Sequence, residues 1–130
     1  MAQDPLQLRA QADAVMQRTA DQLRTILETA AGQIDPFPTF PGTMFSNGIE
    51  VQGVGGSERG CVVVGEDGGL YELQIGVDAD QLALGVSDPA STRHELRIPI
   101  EDLAPAEYAS YAYNAIVALT NYAEQQPQQP

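Results

Sequence analysis

Along the first quarter of the chain, Leu8, Ala12, Val15, Met16, Thr19, Leu23, Ile26, Leu27 and Ala30 recur at spacings of three and four. Arg9, Asp13, Arg18, Asp21 and Glu28 fall mostly elsewhere, so the pattern predicts an amphipathic helix over residues 5–32 with a single apolar stripe. Asp4 is placed to cap it, Pro5 suits the first helical position, and Gln7 stands where a capping-box partner belongs. Gly32 is placed to end it.

The helical period then stops. From Asp35 to Asn47, Pro36, Pro38 and Pro41 oppose regular helix and favour an extended path. All three phenylalanines of the chain, Phe37, Phe40 and Phe45, lie in this connector. A solvated linker does not carry so much apolar surface. The expectation is that they plug an open end of the core, with an aromatic docking or dimerisation segment as the alternative.

From Gly48 to Ile100 the period is two, the pattern of antiparallel strands with one dry and one wet face. Ile49 and Val51 alternate with Glu50 and Gln52, and Cys61–Val64 is a β-branched run. Tyr71, Leu73, Ile75 and Val77 alternate with Glu72, Gln74 and Gly76. Leu82, Leu84 and Val86 suggest another strand, and Leu96, Ile98 and Ile100 the last. Glu50, Gln52, Glu72, Gln74, Glu95 and Arg97 are expected together on the wet face. Glycine- and aspartate-rich turns separate the runs, and Asp67-Gly68 predicts a two-residue type I′ hairpin.

A second helix is predicted over residues 105–125. Tyr108, Ala112, Ala115, Leu119 and Tyr122 fall on one face, with Tyr111 and Ala118 beside them. The remaining 126–130 are glutamine and proline only and read as a disordered tail. One apolar sheet face and two amphipathic helices imply a two-layer α+β sandwich in one domain: N-terminal helix, antiparallel meander of four or five strands, C-terminal helix.

Charge narrows the function. Eighteen acidic residues face six basic ones, all arginine, for a net charge of −12. Such a field repels phosphate backbones and anionic membranes, so nucleic acid and membrane are disfavoured as partners; the acidity reads first as a solvated surface that keeps the chain soluble, with selection of a basic protein partner as the alternative. The lone Cys61 cannot form an intramolecular disulfide, and neither a secretory signal nor a membrane-length apolar run is seen, so a reducing cytoplasm is expected.

The chemical inventory is thin. His94 is the single histidine, which rules out histidine-clustered zinc sites, and one cysteine rules out cysteine-rich ones. Gly53–Gly60 is glycine-rich but lacks the lysine of a phosphate loop and opens onto a strand. Asp78, Asp80 and Asp88 lack the spacing of a calcium loop. No catalytic residue, metal site or cofactor is assigned.

From Val51 to Ile75, the turn glycines, Val62-Val63-Val64, Asp67-Gly68-Gly69 and a following strand resemble the YbaB/EbfC nucleoid-associated family. That resemblance implies a long N-terminal helix, a small sheet, a C-terminal helix and DNA binding. The connector, the segment from Leu82 to Ile100 and the acidity depart from it, and no residue role transfers. The leading expectation is a non-enzymatic interaction module: an adaptor, small chaperone or regulatory partner. DNA association and a carboxylate-based small-molecule enzyme are the alternatives. Tyr111, Tyr113, Val117 and Tyr122 cannot all enter one core from a single helix. Together with Phe37, Phe40 and Phe45 they are the expected interface, and a homodimer through the C-terminal helix or the connector is the expected assembly.

Overall fold

A computed structural model describes residues 4–43, 46–54, 59–77 and 93–126. Helix α1 spans Pro5–Gly32, strands β1 to β4 span Ile49–Glu50, Cys61–Val64, Leu70–Val77 and Arg93–Pro99, and helix α2 spans Pro105–Gln125. Among the described residues the strands form one antiparallel sheet in the order β1-β2-β3-β4. The α+β arrangement of helix, antiparallel sheet and helix is the one the periodicity predicts. The strand expected around Leu82–Val86, Phe45, and the tail beyond Gln126 lie outside the described residues. Among those residues no helix is long and apolar enough to cross a membrane.

The Asp4 carboxylate accepts from the Leu6 N–H at 3.0 Å, and Pro5 opens α1. Helix α1 ends at Gly32, as the sequence predicts, but not through a left-handed glycine cap. Gly32 is its last helical residue and Gln33 follows in right-handed geometry, with Gln33 N–H donating to the Ala30 and Ala31 carbonyls. A tightened last turn therefore satisfies those carbonyls, without a left-handed glycine.

The helices cover one sheet face. Leu27 and Ala31 of α1 and Tyr111, Ala112, Ala115 and Leu119 of α2 pack with Val51, Val62, Val64 and Leu70 in one cluster. Arg24 stacks on Tyr108, while Ala30 and Ile34 lie beside Leu119 and Ala123, so the two helices run parallel. Core contact by α1 is confined to its C-terminal half, through Leu23, Leu27, Ala30 and Ala31, and even there Ile26 faces outward. Leu8, Val15 and Ile26 are exposed, contrary to the single buried stripe expected.

Register corrects the wet face. Tyr71, Leu73 and Ile75 pair with Pro99, Arg97 and Glu95, whereas Glu72 and Gln74 pair with Ile98 and Leu96. Directly paired residues share a face. The apolar row of β3 therefore lies with Glu95 and Arg97, and Glu72 and Gln74 lie on the helix side, where Leu96 and Ile98 are also exposed. Alternation within one strand does not fix which face it shares with its neighbour, because a one-residue offset between strands exchanges their faces. The face opposite the helices is not simply wet either: Val63 and Leu73 on it are buried. The connector reaches this face, with Ser46 Oγ 3.3 Å from Glu95 Oε1 and the Asn47 carbonyl 3.2 Å from Arg97 Nη1.

The β2–β3 hairpin also differs. Among the described residues, positive φ occurs only at Gly42 and Gly68, so Asp67 is not left-handed. Gly68 N–H donates to the Gly65 carbonyl at 3.0 Å and Gly65 N–H to the Gly69 carbonyl at 2.9 Å. The loop is thus Glu66-Asp67-Gly68, three residues with the left-handed one last, instead of a two-residue type I′ turn.

Candidate functional site

Two polar and apolar constellations stand out. The first caps the hairpin end of the sheet. Arg97 forms a forked pair with Glu66, Nη1–Oε2 at 2.8 Å and Nη2–Oε1 at 3.2 Å, and lies over the Tyr71 ring at 4.2 Å. The Tyr71 hydroxyl donates to Asp67 Oδ2, and the Gly69 N–H donates to Asp67 Oδ1 at 2.8 Å. Burial and then the Asp67 carboxylate push the Tyr71 phenol up to about 12. The Arg97 guanidinium holds Glu66 below its ordinary range. Burial alone would raise Asp67, but its hydrogen bonds from Tyr71 and Gly69 outweigh that and leave it lowered. Each shift moves its group away from neutrality, whereas a general acid or base works best with a pKa near the operating pH.

The cluster therefore acts as a clamp on the hairpin, and its pH dependence follows. A carboxylate lowered in the folded state stabilises above its unfolded pKa, and that gain is lost as pH falls through the folded value. Glu66→Gln is expected to cost about 1 kcal/mol at pH 7, the upper range for a partly exposed pair. The difference from the parent should close below about pH 4. Urea unfolding of both proteins at neutral and acid pH measures it.

The second constellation is a groove where the connector meets the end of α2. One depression, of about 360 Å³, is lined by Pro38, Thr39, Phe40, Pro41, Gly48, Ile49, Glu50 and Tyr122. A second, of about 550 Å³, is lined by Gln33, Ile34, Asp35, Pro36, Tyr122, Ala123 and Gln126. Tyr122 belongs to both, so the two adjoin along the connector. The prolines keep its backbone extended, and the Phe40 N–H to Ser46 carbonyl bond at 2.8 Å and a Thr39–Asn47 bridge fold it back on itself. Gly48 lies hard against β2, since a Cβ there would sit 2.9 Å from Val63 Cγ2.

The seven residues expected at an interface separate. Phe40 and Tyr122, 82 positions apart in the sequence, come together in the groove. Phe37 is half-buried against the core cluster, and Phe45 lies outside the described residues. Tyr111 is 1% exposed, so its place as an interface residue is corrected: it is a core side chain. Tyr113 and Val117 are 60% and 39% exposed, on the side of α2 turned away from Tyr122. Ile49 and Glu50 were missed as groove residues, because their alternation marks them only as strand. Cys61 is half-buried on β2, where burial and the nearby Glu50 raise its thiol, so it is not an activated nucleophile. His94 pairs with Gly76 in the β3–β4 ladder. Asp78, Asp80 and Asp88 lie outside the described residues.

Comparisons of the chain with protein-family models, with curated proteins and with solved structures find no match.

Proposed function

We propose that this chain is a non-enzymatic interaction module that holds an extended, apolar-centred segment of a basic partner protein in the groove between the connector and α2. The juxtaposition of Phe40 and Tyr122 carries the reading. Two aromatic side chains from distant parts of the chain line an apolar depression of about 360 Å³, and Tyr122 continues it into a second, more polar one of about 550 Å³. Glu50 lines one depression and Asp35 the other, and the net charge of −12 extends the same sign over the molecule. Lysine or arginine flanking an apolar centre meets that field favourably. An adaptor or small chaperone acting in the reducing cytoplasm fits these features.

Nucleic-acid binding is less well supported. Of the six arginines, Arg9, Arg24, Arg59 and Arg97 are ion-paired with the protein's own carboxylates, which leaves little positive charge for phosphates.

Selection from a displayed random-peptide library tests the proposal. The expected consensus has apolar residues at its centre and Arg or Lys at its flanks. A selection that yields no consensus, or one flanked by acidic residues, overturns it. A gel shift with duplex DNA at low salt is expected to show no retardation, and salt-sensitive retardation would favour the DNA-binding reading instead.

A further inference from the structure

We infer that the N-terminal half of α1 is a self-association surface that pairs with the same segment of a second copy of this chain. Arg24 stacks on Tyr108, close to the start of α2. Because the helices run parallel, residues 5–19 extend past the start of α2. All residues from Asp4 to Val15 are exposed, and the first buried residue of α1 is Ala20. This arm is about 22 Å of helix, exposed from Asp4 to Val15 and part-buried at Met16 and Thr19. A helix of that length is marginal in water on its own and gains most of its stability from packing an apolar face. The arm has such a face. Leu8 and Val15, 46% and 48% exposed, flank Ala12 at helical spacing and fall on the same line of the helix as the exposed Ile26, about a third of a turn from Leu27, which enters the core.

Charge selects the occupant. Two molecules of net charge −12 repel one another over most of their surface. Along the arm and the turn after it, however, Asp4, Arg9, Asp13, Arg18, Asp21 and Arg24 alternate in sign and cancel. Asp13 and Asp21 are compensated locally, by Arg9 at 3.2 Å and Arg24 at 3.7 Å. This neutral segment lets two copies approach, while a basic partner finds no net attraction there. In a two-fold antiparallel crossing near Ala12, the small side chain permits close approach, and Leu8 of each copy meets Val15 of the other. One short stripe buries little area, so the dimer is weak, with a Kd on the order of tens of micromolar.

Sedimentation equilibrium of the full chain at moderate salt, from about 10 μM to about 1 mM, tests this. The mass of the parent is expected to rise from 13.9 kDa towards about twice that value with concentration. The Leu8→Glu/Val15→Glu double variant is expected to stay monomeric throughout. Its changes fall on exposed positions, and circular dichroism verifies that its sheet and core helices remain. A Tyr113→Ser/Val117→Ser variant, changed on the outer face of α2, is expected to dimerise like the parent. A parent that stays at 13.9 kDa, or an arm variant that dimerises as the parent does, overturns the inference. So does loss of the dimer in the Tyr113/Val117 variant alone. None of these changes touches the peptide groove, so the outcome is separate from that of the proposed function.

Discussion

Gly68→Val is expected to destabilise the protein by about 3–4 kcal/mol, the sum of a backbone and a packing cost. Gly68 closes the β2–β3 loop at φ +80°, a conformation that costs a residue with a Cβ roughly 1–2 kcal/mol. A Cβ there would also lie 2.6 Å from the Glu28 Cα and 3.1 Å from the Glu28 nitrogen. Those are backbone atoms of α1, which cannot swing aside as a side-chain tip can. The hairpin tip is thus pressed against α1, and the glycine is what lets sheet and helix meet. Gly53→Ala is the control, because nothing lies within 4 Å of a Cβ at that position, and it should stay within about 0.5 kcal/mol of the parent. Urea unfolding of the three proteins decides the matter. A Gly68→Val variant as stable as the parent would show that the hairpin does not pack on α1 as described.

Tyr111→Ala should cost about 3–5 kcal/mol, the usual penalty for truncating a buried aromatic side chain. Tyr111 sits among Leu27, Val62, Val64 and Leu119, where both helices meet the sheet. Removing the ring leaves a cavity that these neighbours cannot all close at once. Tyr113→Ala, two residues on but exposed, should change stability by less than about 0.5 kcal/mol. Since whole domains are stable by roughly 5–15 kcal/mol, the Tyr111 variant could be largely unfolded at elevated temperature while the Tyr113 variant melts with the parent. Equal losses for the two would contradict the burial of Tyr111.

These two residues mark where sequence reading succeeds and where it stops. Both helices were legible because a 3.6-residue apolar period is local information, and capping by Asp4 and Pro5 reinforced it. Strands were legible from alternation, but their faces were not. The register of β4 on β3 depends on the connection between them, and it placed Arg97 beside Tyr71 where alternation had placed Arg97 with Glu72. The burial of Tyr111 was missed because aromatic residues on several sides of one helix look like surface surplus until the sheet takes one of them. The exposure of Leu8 and Val15 had a usable signal in lengths alone. A helix of 28 residues spans about 42 Å, and the longest described strand, of eight residues, about 27 Å, so part of α1 outruns the described sheet. The groove had no such signal, because it forms where Tyr122 meets a connector 80 residues earlier.

The most direct test of the proposed function is the affinity of a selected basic-flanked, apolar-centred peptide for the Tyr122→Ala variant, set beside the parent and Tyr113→Ala. Tyr122 lines both depressions, and buried aromatic anchors carry a large share of binding energy in such grooves. The predicted result is a loss of at least about tenfold for Tyr122→Ala, near 1.4 kcal/mol, with Tyr113→Ala within about twofold of the parent. Unchanged affinity in a folded Tyr122→Ala protein, or an equal loss in Tyr113→Ala, would contradict the placement of the partner in this groove.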